Sequence, residues 1–169
     1  TRTMGLFEGG VLIATMKLIL FSMNIFGVMQ PACGLMALEV HPLHKRKGAA
    51  LYMVRYFEDY ARQQGALLTL LLPFRIGFYR QMGYGFAGKI YEYHLPTAAL
   101  LPRPDAAALA HLRLMQPEDF DEALACHRRF AAQNHGMVEK FDEEIRGARG
   151  DIQVRRLGWY DGGVLRGYA

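Results

Sequence analysis

Residues 35–73 read LMALEVHPLHKRKGAALYMVRYFEDYARQQGALLTLLLP, and the hydrophobic pattern changes twice within this stretch. Two compact apolar runs, Leu35–Val40 and Ala66–Leu72, are typical of buried strands. Between Gly48 and Gly65 the apolar residues instead recur every three or four positions, which indicates one face of a helix. A helix that joins two strands forms a βαβ unit. The stretch therefore predicts two parallel strands with a helix packed across them.

Further strands and one short helix are predicted on either side of this unit. Apolar runs indicate strands at Val11–Leu20, at Asn24–Met29 and at Lys89–Leu95. Residues 30–34, Gln-Pro-Ala-Cys-Gly, are typical of a turn, and Ile76–Met82 is predicted to be a short helix that Gly83 ends. The sequence therefore predicts an α/β fold, α+β in some schemes, with a mixed central sheet flanked by helices.

Composition limits the classes of function. The chain has 169 residues, of which 51% are apolar and 21% charged, which is globular rather than disordered. A net charge of +4 is too small to indicate a nucleic-acid-binding protein by itself. The two cysteines form neither a disulfide framework nor a zinc motif, which fits a reducing, cytoplasmic location. Residues 11–29 are long enough to cross a membrane, but Lys17 and Asn24 argue against it, so we expect no membrane association.

A basic glycine loop precedes the predicted helix. A helix start offers N–H groups without partners and a positive dipole end, and small residues let a ligand approach the backbone. The residues concerned are Lys45, Arg46, Lys47, Gly48, Ala49 and Ala50. The spacing fits neither a Walker loop, GxxxxGK[ST], nor the dinucleotide fingerprint GxGxxG. Three interpretations remain from spacing alone: a phosphate site, a solvated loop and a nucleic-acid patch.

The stretch from Leu35 to Gly65, followed by FYRQMGYGF at residues 78–86, resembles the acetyl-CoA-binding core of the GNAT N-acetyltransferases. That superfamily binds pyrophosphate through [Gln/Arg]-x-x-Gly-x-[Gly/Ala], which Lys45–Ala50 matches except for lysine at the first position. The segment PFRIGFYRQMGYG at residues 73–85, with a proline-rich linker and a diverged second segment, resembles the Eis (enhanced intracellular survival) branch.

The resemblance implies a direct transfer of acetyl from acetyl-CoA to a primary amine, such as a lysine side chain or an aminoglycoside, without a metal. It implies that the backbone of Leu38, Glu39 and Val40 contacts the cofactor, and that Tyr79, four residues before Gly83, is the general acid. Glu39 as a base through water is an alternative role. The resemblance also implies a homo-oligomer, a hexamer in the Eis branch. The alternatives are a CoA-binding protein with little catalysis and a basic nucleic-acid-binding domain.

A domain boundary is predicted near Arg103, where three prolines fall within nine residues. Residues 1–103 are then a GNAT domain that lacks its N-terminal part. Residues 104–169 are then the opening half of a second, diverged GNAT-like domain. We predict there an edge strand at Leu112–Leu114, a helix opening at Pro117, and a hairpin of residues 152–160 and 164–168 joined at residues 161–163.

Overall fold

The computed structural model describes residues 1–89, 91, 92, 94, 96, 105–139 and 155–169. The chain forms two compact units. The first unit comprises residues 1–84 and 130–141, and the second comprises residues 85–129 and 142–169. No helix among the described residues is long and apolar enough to cross a membrane.

Three antiparallel strands begin the first unit: β1 (Arg2–Glu8), β2 (Val11–Ile25) and β3 (Val28–Val40). The predicted turn at residues 30–34 is therefore wrong, and the predicted strand at Asn24–Met29 is interrupted, because its middle residues form the turn between β2 and β3. A tight turn at Phe26 and Gly27 joins β2 to β3, with φ of 51° and 86°. Both central residues have positive φ, as in the hairpin turns that match strand twist. Phenylalanine is uncommon there, so no turn was predicted at this position.

The predicted βαβ unit is confirmed. Helix α1 (Ala49–Gln63) connects β3 to β4 (Leu68–Leu71), and β4 pairs with β3 in parallel, from Ala32 opposite Leu68 to Leu35 opposite Leu71. The sheet has the order β1-β2-β3-β4 and is mixed, as predicted. Helix α2 (Ile76–Arg80) follows and ends two residues before the predicted Met82.

The core of the first unit lies between α1 and one face of the sheet. Met53, Val54 and Phe57 of α1 are buried against alternate residues of the strands, such as Met16 and Leu18. The other buried residues of this cluster are Ala14, Cys33, Leu35, Tyr60, Ala61 and Tyr79. This apolar face is the one that the helical periodicity predicted.

Residues 136–139 extend the first sheet at the far end of β2, beyond the residues that β1 pairs. Glu139 N–H donates to Ser22 O at 2.8 Å, and Asn24 N–H donates to Met137 O at 2.9 Å. The Asn24 side chain, 1% exposed, donates to Ala131 O at 2.8 Å and to Ala132 O at 2.9 Å. Its Oδ1 accepts from Gly27 N–H at 2.7 Å. This side chain therefore fixes both the hairpin turn and residues 131–132.

The second unit contains a three-stranded antiparallel sheet in the order β5-β6-β7. Its elements are α3 (Ala106–Ala110), β5 (Leu112–Leu114), a 3-10 turn (Pro117–Asp119), the first part of α4 (Phe120–Gln133), β6 (Leu157–Asp161) and β7 (Val164–Tyr168). The predicted edge strand, the helix opening at Pro117 and the hairpin are confirmed. Residues 152–154 of the predicted hairpin lie outside the described residues, and its first strand begins at Leu157, later than predicted.

Two other predictions fall on residues that are only partly described or not described. Of the predicted strand at residues 89–95, positions 90, 93 and 95 lie outside the described residues, and the remaining residues are not in a strand. The predicted boundary near Arg103 also lies outside them and stays a prediction.

Candidate functional site

The site lies where β3 continues beyond the end of β4. Strand β4 pairs with β3 only up to Leu35, and Pro73 follows shortly after, so the β3 edge from Met36 to Val40 has no β4 neighbour. His41 N–H donates to Ile13 O of β2 at 2.8 Å. Because neighbouring residues of a strand direct their N–H groups to opposite sides, Val40 directs its N–H away from β2 into the gap that β4 leaves.

A bulge in β3 lies beside this open edge. The register against β2 shifts between Lys17, opposite Met36, and Thr15, opposite Glu39, which leaves an extra residue in β3. Ala37 has a φ of 46°, a conformation that costs free energy for a residue with a Cβ. The bulge changes the direction of the backbone at residues 38–40, the predicted cofactor-binding segment. This segment directly follows the strained Ala37.

The N-terminus of α1 lies at the end of the same strand, after a short 3-10 turn (Pro42–His44). The first intrahelical bond runs from Tyr52 N–H to Gly48 O at 3.0 Å, so the N–H groups of Ala49, Ala50 and Leu51 have no partner within the helix. Gly48 occupies the N-cap position with a φ of 86° and supplies no side-chain cap. The helix start is thus open to an anionic ligand.

A cavity of about 660 Å³ joins the open strand edge to the helix start. Of the predicted cofactor-binding residues, all except Lys47 line it, namely Leu38, Glu39, Val40, Lys45, Arg46, Gly48, Ala49 and Ala50. The lining also includes His44, Leu51, Phe74, Arg75 and Phe78. The structure therefore brings together two segments, residues 38–40 and 45–50, that the sequence assigned to one cofactor.

Most of the charged residues in the lining are cationic. Lys45, Arg46 and Arg75 face the cavity, whereas Glu39 is the one carboxylate among the lining residues. His44 Nδ1 lies 3.0 Å from Glu8 Oε2, in an alignment that is poor for a hydrogen bond. A cavity with this excess of positive charge, next to an open helix N-terminus, is suited to a ligand that carries phosphate groups.

Tyr79, the predicted general acid, lies in α2 and is 5% exposed. Its ring meets those of Phe78, at 5.1 Å between centroids, and Tyr84, at 6.0 Å, edge to face. Burial raises its pKa, and burial is also the main cause that raises the pKa of Tyr84 to about 12. Tyr79 is not among the residues that line the cavity, although its neighbour Phe78 is. Its catalytic role therefore stays a prediction.

Sequence reasoning missed several lining residues. Phe74, Arg75 and Phe78 carry no motif, and only the parallel pairing of β4 beside β3 brings them to the cavity. His44 was not predicted to belong to the site either. The one available signal for Arg75 was its position directly after the second strand of a βαβ unit, where ligand sites of parallel sheets lie.

A sequence profile of the acetyltransferase (GNAT) domain matches residues 1–87, which is just over half of the chain. The chain therefore belongs to the GNAT acetyltransferase family, whose members use acyl-CoA. The predicted GNAT fold is confirmed. No curated protein matches the sequence.

Solved structures of the same fold cover nearly the whole chain. A GCN5-related N-acetyltransferase from Anabaena variabilis matches with a TM-score of 0.77 and 17% identity, over 98% of this chain and 43% of that one. A GCN5-related N-acetyltransferase from Kribbella flavida matches with a TM-score of 0.70 and 18% identity, over 97% of this chain and 45% of that one. Eis1 from Mycobacterium abscessus matches with a TM-score of 0.70 and 20% identity, over 94% of this chain and 42% of that one. The chain thus spans less than half the length of each of these structures.

Proposed function

We propose that this protein is an N-acetyltransferase that moves acetyl from acetyl-CoA to a primary amine. One observation carries the proposal: a single cavity is lined by the end of β3 that β4 does not pair and by the basic loop at the start of α1. A cosubstrate that has a diphosphate at one end and a thioester at the other needs these two features side by side.

The loop would hold the diphosphate. Free N–H groups of Ala49 and Ala50, and the charges of Lys45 and Arg46, supply hydrogen-bond donors and positive potential around the same point. Gly48 has a positive φ, which would strain any residue with a side chain, so its contribution to the diphosphate site comes from the backbone. The fit therefore rests on donors and charges that this chain itself provides.

The strand edge would orient the reacting group, which acetyl-CoA supplies as an acetyl thioester. The Val40 N–H, directed into the gap beside β4, is a donor for the thioester carbonyl oxygen and for the negative charge that develops there. Tyr79 Oη would give a proton to the departing thiolate. Its raised pKa keeps the hydroxyl protonated at neutral pH, as a general acid requires.

The acceptor and the assembly are proposed from the Eis-like resemblance, which the structural likeness to Eis1 from Mycobacterium abscessus supports at the level of fold. On this basis we propose cationic amines, such as lysine side chains and aminoglycosides, as acceptors. We also propose a homo-oligomer, with a hexamer as the first candidate, and a second GNAT-like domain that begins after the proline-rich segment.

A second candidate is a CoA-binding protein with little catalysis. It is favoured by the burial of Tyr79, which is 5% exposed and lies outside the cavity lining. A general acid has to reach the leaving group, directly or through one water. If α2 does not rearrange when the cosubstrate binds, this tyrosine cannot act.

Release of CoA thiol in the presence of an amine panel separates the two candidates. The N-acetyltransferase proposal predicts amine-dependent release by the intact protein, and a Tyr79→Phe variant with turnover about a hundred-fold lower and unchanged acetyl-CoA affinity. The control is Tyr84→Phe, which removes a neighbouring hydroxyl and should leave turnover unchanged. Because burial raises the pKa of Tyr79, its contribution as a proton donor should persist to a higher pH than that of an exposed tyrosine. Undiminished turnover in Tyr79→Phe would remove this residue from the mechanism.

A further inference from the structure

Arg75 reaches the cavity from a different part of the fold than the basic loop. It lies between β4 and α2, whereas Lys45 and Arg46 lie between β3 and α1. The two arginine pairs on α1, Arg55 with Glu58 at 2.8 Å and Arg62 with Asp59 at 2.6 Å, involve carboxylates of the same helix. Among the described residues, no carboxylate lies within ion-pair distance of Arg75.

The charge of Arg75 is not needed for the diphosphate that the proposed function assigns to the loop. That group already has two cations and the free N–H groups at the start of α1. The side chains next to Arg75 in the lining, Phe74 and Phe78, are apolar and cannot compete for its donors. A guanidinium offers a planar fork of donors that matches phosphate and carboxylate oxygens.

We propose that Arg75 forms a second anion subsite in this cavity, which binds an anionic group of the acyl-CoA donor other than the diphosphate. Two groups of the donor have this chemistry: the 3′-phosphate of the nucleotide and a terminal carboxylate on the acyl chain. In the first case Arg75 distinguishes CoA from its dephosphorylated form. In the second it makes the enzyme select a dicarboxylic acyl group. The inference rests on the proposed function, because it assumes an acyl-CoA donor.

Calorimetric titration of the full chain with two matched ligand pairs tests the subsite. CoA and 3′-dephospho-CoA differ by one phosphate, and succinyl-CoA and acetyl-CoA differ in the carboxylate. Wild-type protein should bind the more anionic member of one pair about ten-fold tighter, the size of one charge-assisted hydrogen bond. Arg75→Gln should remove that preference. The ratio within a pair is insensitive to a general loss of folded protein.

Arg80→Gln is the matched control, since Arg80 is an exposed arginine of α2 outside the cavity lining. It should keep the wild-type preference. Loss of the CoA preference in Arg75→Gln assigns the 3′-phosphate, and loss of the succinyl preference assigns the carboxylate. If the wild type shows no preference in either pair, or Arg75→Gln keeps it, the subsite does not exist. Failure of the wild type to bind any of the four ligands would instead overturn the proposed function.

Discussion

Each of the two units is stabilised internally by a different kind of interaction. In the first, a helix and a mixed sheet enclose a large apolar cluster that includes Met16, Val54 and Phe57, all fully buried. In the second, the buried cluster consists of Ala123, Cys126 and Leu165, with partly buried neighbours. Polar contacts surround this small cluster.

Two of these polar contacts join elements that are far apart in sequence. The Leu165 N–H donates to Glu122 Oε1 at 2.7 Å, and Arg129 donates to Leu165 O at 2.7 Å. Arg113 binds both carboxylate oxygens of Asp119 at 2.7 Å. A fold that is stabilised by burial can be predicted from the hydrophobic periodicity of its sequence. A fold that is stabilised by directional contacts depends on residue pairings that sequence spacing does not reveal.

The largest effect is expected from the centre of the first core. Replacing Phe57, which is 0% exposed, by alanine should lower the free energy of unfolding by about 3–5 kcal/mol, because it removes buried surface and leaves a cavity. Urea unfolding measures this change. The control is Tyr52→Ala on the exposed side of the same helix, expected to change stability by about 0.5 kcal/mol or less. Equal effects of the two variants would contradict a burial-dominated unit.

A smaller effect is expected from the polar contact of the first unit. Asn24→Ala removes three hydrogen bonds and leaves buried backbone groups without partners, which should cost about 2–3 kcal/mol. Asn134→Ala is the matched control, since it loses one exposed bond, from Nδ2 to Phe130 O at 2.7 Å. Comparable unfolding midpoints for both variants would show that Asn24 does not anchor residues 131–132.

The smallest effect is expected at Asp119 of the second unit. The Arg113 guanidinium, helped by the Gln116 N–H, lowers the pKa of this carboxyl to about 2 from its usual 3.8. A lowered pKa stabilises the folded state above pH 3.8, and the stabilisation disappears as the pH falls through about 2. Asp119→Asn should therefore be less stable than the wild type at pH 7 and approach it near pH 2. Acid titrations followed by circular dichroism measure the stability of both proteins. A stability difference that does not change with pH would contradict this ion pair.

The fold of residues 35–73 could be predicted from sequence because burial dictates its pattern. The turn at Phe26 and Gly27 could not, since an apolar residue occupies a left-handed position that the chain tolerates only through surrounding contacts, including His135 stacked on Phe26 at 4.3 Å. The role of Asn24 could not be predicted either. Its partners at residues 131 and 132 lie more than a hundred positions away.

The candidate site also contains one part that could be predicted from sequence and one part that could not. The basic loop could be predicted because its residues are contiguous and its chemistry follows from a helix start. Arg75 and Phe78 could not, because their place at the cavity depends on where β4 stops pairing with β3. Bulge geometry at Ala37 has no sequence signal, since alanine is not a residue that favours positive φ.

A titration of the protein with acetyl-CoA tests the central claim, that the basic loop and the open edge of β3 form an acyl-CoA site. We expect saturable binding by the wild type and binding at least about ten-fold weaker for Arg46→Glu, which places a negative charge beside the diphosphate. Arg62→Glu, the same charge change on the exposed side of α1, should bind as the wild type does. Equal affinity of Arg46→Glu and Arg62→Glu would contradict the account.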